Sequence, residues 1–202
     1  MNERPDRVIR ATELVGRPVV TLGGDDVAEI RDVVYDADRG SLLGFTLNKR
    51  GWFRGRLKER LPVSSVHAIG RDAVMVSADS DLIAAEDAPA EVGDPPAGRD
   101  VLGAAVLTDD GERLGEVSDV IVALGPGAQA VGYEVHVAGE DAKHARYLPL
   151  PEQIAVSGDA LIVPHEVGAF IHDDLAGFGA AIEDFRARLH EEHPGNEQGG
   201  ST

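Results

Sequence analysis

The sequence contains no cysteine, which excludes disulfides, thiolate nucleophiles and cysteine-ligated metal sites. Aromatic residues make up 4% of the chain, with a single Trp. Long apolar runs are also missing, since no stretch approaches the roughly 18 consecutive apolar residues that a membrane-spanning helix needs. The first ten residues are charged and lack an apolar centre. The sequence therefore predicts neither a secretory signal nor insertion into a membrane.

Positive charge is scarce: 19 Lys and Arg stand against 36 Asp and Glu, for a net charge of -17. Binding to nucleic acid or to an anionic membrane needs a basic face, so both partner classes are disfavoured. The 43% hydrophobic content is typical of a folded protein. These proportions predict a cytoplasmic protein whose partners are other proteins.

One segment of the sequence occurs twice, at a shift of 87 residues. The shift becomes 88 midway, where Gly44 matches Gly132, as a loop insertion would cause. An ordered series of matches over this length indicates a tandem duplication. The identical pairs are Gly16/Gly103, Val19/Val106, Thr21/Thr108, Gly24/Gly111, Glu29/Glu116, Asp32/Asp119, Val33/Val120, Leu61/Leu148, Pro62/Pro149, Asp72/Asp159, Ala73/Ala160 and Val76/Val163.

Each copy consists of short β-branched runs separated by Gly and Asp turns, such as Gly23–Asp26 and Asp109–Glu112. Several short strands at close intervals favour a small sheet closed on itself, which removes exposed edges. We therefore predict a mostly-β protein with two tandem small β-barrels and a C-terminal amphipathic α-helix. The predicted parts are a flexible N-terminus (1–10), barrel 1 (11–77), an acidic Pro/Gly linker (78–98), barrel 2 (99–164), a helix (165–193) and a disordered tail (194–202).

The order of motifs in each copy resembles the PRC-barrel family, which includes the cytoplasmic domain of the photosynthetic reaction-centre H subunit and a ribosome maturation factor. In copy 2 the acidic turn and its glycines lie within Thr108–Val117; in copy 1 Leu22 and Gly23 replace the two acids, and Ala28 replaces Gly115. The resemblance covers about residues 11–77 and 98–164. It implies an adaptor or docking module, and no family-wide catalytic residues transfer to this chain.

A basic segment at residues 49–60 is the first candidate site. It holds six of the 19 basic residues and the only Trp. Basic side chains interleaved with aromatics suit an anionic partner or an acidic protein surface. The alternative is a solvated loop whose charges are balanced by acids of the same chain. The candidate interface residues are Lys49, Arg50, Trp52, Phe53, Arg54, Arg56, Lys58 and Arg60.

The C-terminal segment from residue 166 to 193 carries apolar residues at spacings of three and four, as one face of an amphipathic helix does. Its other face is acidic, which disfavours insertion at anionic lipid. The apolar stripe predicts that the helix packs on a barrel or pairs with the same helix of a second copy in a homodimer. Binding in the groove of a partner protein is a further alternative. The residues concerned are Phe170, Ile171, Leu175, Phe178, Ile182, Phe185 and Leu189.

Reactive chemistry is not indicated. The sequence lacks a Gly-x-Ser-x-Gly elbow, a phosphate loop and a His-Glu-x-x-His helix. His165, His172, His190 and His193 show helical spacings but no third convergent ligand, so we predict no metal and no cofactor. We expect a non-catalytic, self-associating adaptor. The alternatives are a factor in RNA or ribosome maturation, a docking subunit of a membrane-associated complex and an enzyme of unknown class.

Overall fold

The structure is a computed structural model that describes residues 8–36, 41–50, 55–88, 101–137, 145–150, 155–157, 160–175, 177–179 and 182. In the first half, short 3-10 helices cover Ala11–Leu14, Val63–Ser65 and Asp79–Asp81. The strands there are β1 (Val8–Arg10), β2 (Pro18–Thr21), β3 (Asp26–Asp36), β4 (Ser41–Asn48), β5 (Arg56–Pro62), β6 (Val66–Ile69), β7 (Val74–Val76) and β8 (Ile83–Ala84).

The second half repeats this order. Its strands are β9 (Ala105–Thr108), β10 (Arg113–Ala123), β11 (Gly125–Pro126), β12 (Gln129–His136), β13 (Ala145–Pro149), β14 (Ala155–Ser157) and β15 (Ala160–Val163), and a 3-10 helix covers His165–Phe170. One sheet has the order β11-β6-β7-β2-β3-β4-β5-β8; the other has β13-β12-β10-β9-β15-β14, with β1 paired to β10. The predicted mostly-β fold is confirmed.

Positions 87 apart occupy equivalent places in the two sheets. Val19 pairs with Val74 in the parallel β2–β7 ladder, and Val106 pairs with Leu161 in the parallel β9–β15 ladder. The Gly16 amide donates to the Ile30 carbonyl at 2.8 Å, and the matching bond from Gly103 to Val117 is also 2.8 Å. Both glycines adopt positive φ, of 85° and 84°, a conformation that favours glycine. The duplication in the sequence is therefore a duplication of structure.

The two copies exchange strands. β1 precedes copy 1 in the chain but pairs antiparallel with β10 of copy 2. In return β11, which belongs to copy 2, pairs with β6 of copy 1, and the Gly127 amide donates to the His67 carbonyl at 2.8 Å. One apolar cluster contains buried residues of both halves, including Leu14, Val19, Val106 and Tyr133. Because a small barrel buries a limited fraction of its surface, this shared core adds stability that neither copy has alone.

Two predicted boundaries differ from the structure. Within the predicted flexible N-terminus, residues 8–10 form a strand. They do so because the end of β10 in copy 2 has backbone groups that need hydrogen-bond partners, and these three residues supply them. Within the predicted linker, residues 79–84 form a 3-10 helix and β8, which pairs with β5 at Glu59 and Arg60. In both places the residue composition predicts no strand, and pairing with a strand distant in sequence, β10 or β5, makes the backbone extended. Residues 89–100 lie outside the described part of the chain.

Candidate functional site

The basic segment includes the connection after β4 and the first five residues of β5, Arg56 to Arg60. The Lys49 amide donates to the Gly55 carbonyl at 2.7 Å and closes the hairpin. Trp52, Phe53 and Arg54 lie outside the described residues, so their part in an interface stays a prediction. The structure therefore places the two ends of the segment and leaves its centre untested.

Arg50 is turned back onto its own barrel. Its guanidinium meets Asp26 Oδ2 at 2.7 Å and Glu29 Oε2 at 2.9 Å. The hydrogen bond to Asp26, assisted by the charges of both acids, raises the pKa of Arg50 against the smaller opposing effect of burial. For Arg50, this arrangement agrees with the alternative prediction, in which acids of the same chain balance the charges of the basic segment. Arg50 is thus paired within copy 1.

Arg60 lies inside the barrel, with 6% of its surface exposed, and contacts the backbone carbonyls of Lys58 and Glu59 through Nη1. It stands opposite Thr46 on the paired strand β4. Four of the predicted cations in the described residues are exposed, namely Lys49, Arg50, Arg56 and Lys58, and of these Arg50 is paired with Asp26 and Glu29. Of the described candidate residues, Arg60 is therefore buried and Arg50 is paired within copy 1.

The C-terminal segment does not begin as the predicted α-helix at residue 165. A 3-10 helix ends at Phe170, and His172 then forms a β-bridge with Tyr147, with backbone bonds of 2.8 and 3.1 Å. Helical backbone appears at residues 175, 177–179 and 182. The spacing of apolar residues predicted the wrong start for the helix, because His172 is extended and pairs with Tyr147 at the edge of β13. Phe185 and Leu189 lie outside the described residues.

The helical part of the stripe packs on copy 2. Phe178 and Ile182 are buried in a second cluster with Ile121, Val131 and Tyr147, and Leu175 packs at its border. Earlier in the segment, Phe170 and Ile171 are partly buried against the main core. A Cβ at Gly132 would lie 2.3 Å from the Phe178 ring, so a glycine there is what permits the close approach. Of the alternatives left open by the sequence, the described residues fit packing within the chain.

A polar cluster at the junction of the copies was not predicted. Arg10, at the end of β1, donates from Nε to Glu134 Oε2 at 2.5 Å and from Nη2 to the Tyr147 hydroxyl at 2.6 Å. Its guanidinium also lies 5.8 Å from the centre of the Tyr147 ring. The Ser118 hydroxyl donates to the other oxygen of Glu134 at 2.9 Å. Both oxygens of this buried carboxylate are therefore hydrogen-bonded by charged or polar groups.

The electrostatics of the cluster favour its ion pair. Burial by itself would raise the pKa of Glu134, but hydrogen bonds from Arg10 and Ser118 and the charge of Arg10 outweigh it and lower that pKa. Burial opposes the charge of Arg10 as well, and Glu134 reverses the effect so that the pKa of Arg10 rises. Burial, followed by the charge of Glu134, raises the pKa of Tyr147. The tyrosine thus stays neutral beside a charged pair.

Asp119 forms a second link between the copies. Its carboxylate accepts hydrogen bonds from the backbone amide of Thr12, at 3.3 Å, and from the hydroxyl of the same residue. The Val120 amide donates to it at 2.8 Å. Only 3% of Asp119 is exposed, and burial raises its pKa despite these bonds. The chain that enters copy 1 is therefore fastened to copy 2 at Arg10 and again at Thr12.

The family model of the PRC-barrel domain matches residues 6–83 and 97–166, which together make up most of the chain. The chain belongs to the PRC-barrel family. The two matched segments are the two copies, so the predicted tandem PRC barrels are confirmed. PRC-barrel domains are generally non-enzymatic modules. No curated protein matches the sequence.

Two further properties of the tandem PRC barrels bear on function. Among the residues that the structure describes, every helix is too short or too polar to cross a lipid bilayer. Within the same residues, no three His, Asp or Glu side chains converge as a metal site requires. His165, one of the histidines considered from the sequence, lies 3.4 Å from Asp109 on the surface.

The junction of the PRC barrels left a weak signal in the sequence. Where copy 1 has Thr46 and Arg60, copy 2 has Glu134 and Tyr147, a change in charge at a buried strand position. Arg10 stands in the short apolar run that forms β1. Comparison of the two copies could have marked Glu134 as unusual, but only the tertiary structure brings Arg10, 124 positions away, to it.

Proposed function

We propose that this chain is a non-catalytic protein-binding module in which copy 1 presents the partner interface through the basic segment. The observation that carries the proposal is the exposure of Lys49, Arg56 and Lys58 at one hairpin of a strongly acidic chain. Clustered cations on such a background attract an acidic protein surface and orient it during encounter. The proposal includes action in the cytoplasm, as the acidic composition suggests.

The polar groups of the junction support a binding role over a catalytic one. Glu134, Asp119 and Arg10 carry shifted pKa values in the arrangement that active sites often show. Here each is hydrogen-bonded to another part of the same chain, and the bonds hold a strand in place. Their chemistry is therefore used to join the two barrels.

A pull-down from native lysate of the source cells, followed by mass spectrometry, tests the proposal. The bait is the full chain, and the test variant is Arg56→Ala with Lys58→Ala. The control, Arg31→Ala with Arg71→Ala, removes the same charge from exposed positions elsewhere on copy 1. We expect acidic proteins to be lost with the test variant only. Identical sets of captured proteins for both variants would contradict the proposal.

Two measurements separate the remaining alternatives. A gel shift with structured RNA at low salt is expected to show no complex, because the net charge of -17 repels phosphate. Light scattering on the full chain tests the predicted self-association. The helical residues described pack within the chain, so a dimer would have to use another surface.

A further inference from the structure

Residues 8–12 lie on copy 2 in the manner of a bound peptide. They run antiparallel to β10, with Val8 opposite Ala123, Ile9 opposite Val122 and Arg10 opposite Ile121. In peptide recognition by strand addition, such backbone pairing supplies affinity and pockets for alternate side chains supply specificity. The groove on copy 2 has both elements.

The first pocket selects a cation. Its walls are Glu134 and Tyr147, both buried and both supplied by copy 2. Glu134 is fixed by the 2.9 Å bond from Ser118, so the carboxylate is oriented before the guanidinium of Arg10 reaches it. The Nε of Arg10 bonds to this carboxylate and Nη2 bonds to the tyrosine hydroxyl, so the pocket fits the fork of an arginine rather than a lysine.

The second pocket selects a hydroxyl residue two positions later. Asp119 is buried and is held by the Val120 amide, and it accepts both the amide and the hydroxyl of Thr12. Apolar contacts precede the two polar pockets: Ile9 is buried in the main core and Val8 packs on the cluster around Phe178. The recognised pattern is therefore two β-branched residues, Arg, any small residue, and Thr or Ser.

The polar receptor groups Glu134, Tyr147 and Asp119 and the paired strand β10 belong to copy 2, whereas the segment that fills the groove precedes copy 1. Leu14, which is fully buried, anchors the chain just beyond the segment, and Gly16 turns it into copy 1 with a φ of 85°. Departure of residues 8–12 would expose Ile9 and Ala11 of the shared core. The described ladders of copy 1 do not include residues 8–12, so its strand pairing would remain. The charge of -17 on the whole chain adds long-range attraction for a basic ligand.

We propose that copy 2 carries a strand-accepting groove for an extended basic peptide with this pattern on a partner protein, and that residues 8–12 are its intramolecular competitor. The inference concerns copy 2 and is independent of the basic segment on copy 1. An intramolecular segment has a high effective concentration, so the partner peptide gains access only when it competes with that segment.

The direct test uses a fluorescent synthetic peptide with the sequence of residues 6–14 and the full-length chain. Arg10→Glu places a carboxylate against Glu134 and loosens the chain's own segment. We expect this variant to bind the peptide at least tenfold more tightly than the unaltered chain does. A peptide with Ala in place of its second Arg should bind about tenfold more weakly, the effect of losing a charge-assisted contact. Equal binding of the two peptides overturns the proposal.

A second measurement keeps Arg10 and its contacts in place. The chain has no cysteine, so Ile9→Cys introduces a single thiol in a buried part of the segment. Added peptide should displace the segment and raise the rate of thiol labelling in proportion to its concentration. The peptide with Ala in place of its second Arg is the control.

Two results would count against the groove as a partner site. A labelling rate that stays constant up to millimolar peptide would show that the segment is a fixed structural element. A dimer, seen by light scattering, that the peptide converts to monomer would show that the occupant is the same segment of a second copy.

Discussion

The two barrels share a backbone but differ in one buried pair on equivalent strands. Copy 2 has Glu134 opposite Tyr147, and copy 1 has Thr46 opposite Arg60. The first pair accepts Arg10 from the segment before copy 1. In the second, the cation belongs to the barrel itself, and Thr46 stands where copy 2 has the carboxylate. This buried pair thus differs in charge between the copies, and the pair of copy 2 forms part of the junction, while the strand pairing around the two positions is alike.

A second difference concerns an aspartate conserved between the copies. Asp32 and Asp119 each accept the amide of the following valine. Asp119 is buried by Thr12, whereas Asp32 is exposed. The same strand irregularity, a register shift at this aspartate, is therefore a surface feature in copy 1 and an anchor in copy 2. Local sequence decides the irregularity, and the neighbouring segment decides its role.

The largest effect is expected at Gly115, where copy 1 has Ala28. A Cβ at Gly115 would lie 2.4 Å from the His136 carbonyl oxygen, and its φ of 148° disfavours any side chain. Gly115→Ala should lower the free energy of unfolding by about 3 kcal/mol, measured by urea denaturation. Gly111→Ala, where φ is 91° and space is open, is the control and should cost about 1 kcal/mol. Equal losses would show that the clash is relieved by backbone movement.

The next effect concerns the junction pair. Arg10→Ala leaves Glu134 buried without its cation and should cost about 2 kcal/mol, less than for a fully buried pair because Arg10 is partly exposed. Arg50→Ala is the matched control, since Arg50 also contacts two acids, but at the surface, and should cost about 0.5 kcal/mol. Urea denaturation compares the two. A loss at Arg10 no larger than at Arg50 would mean that the junction adds little stability.

A gain is expected at the equivalent position of copy 1. The hydroxyl of Thr46 is buried and has no hydrogen-bond partner. Thr46→Val keeps the shape and removes the unsatisfied oxygen, so the free energy of unfolding should rise by about 1 kcal/mol. Thermal unfolding followed by circular dichroism measures the change. Ser118→Ala should act oppositely, because its hydroxyl is bonded to Glu134. A loss of stability in Thr46→Val would contradict this account.

The smallest effect is a pH dependence carried by Asp119. Burial raises its pKa in the folded chain, so the folded state holds the proton more tightly than the unfolded state. Stability from this group therefore falls as pH rises from the ordinary range of aspartate through the raised pKa. Asp119→Asn should remove that slope, measured as unfolding free energy between about pH 4 and 6. Asp32→Asn is the matched substitution in copy 1. An unchanged slope in Asp119→Asn would exclude this origin.

The sequence alone determined most strands of the two copies, the duplication and the family. Period-two burial in β2 and β9, and the glycines at shared turns, follow from local rules that act within a few residues. A match of such rules at a constant shift is enough to predict two like barrels. The predicted start of the C-terminal helix was wrong, because a spacing of three and four cannot reveal that the edge of β13 pairs with His172.

Only the tertiary structure decided how the copies join. β1 pairs with a strand more than 100 positions away, and Arg10 and Thr12 meet acids of copy 2 that no short-range pattern connects to them. The reason is physical: an open sheet edge and a buried carboxylate each need a partner, and any segment within reach can supply it. Which segment becomes that partner depends on distances in the folded chain, and these distances cannot be read from the order of residues alone.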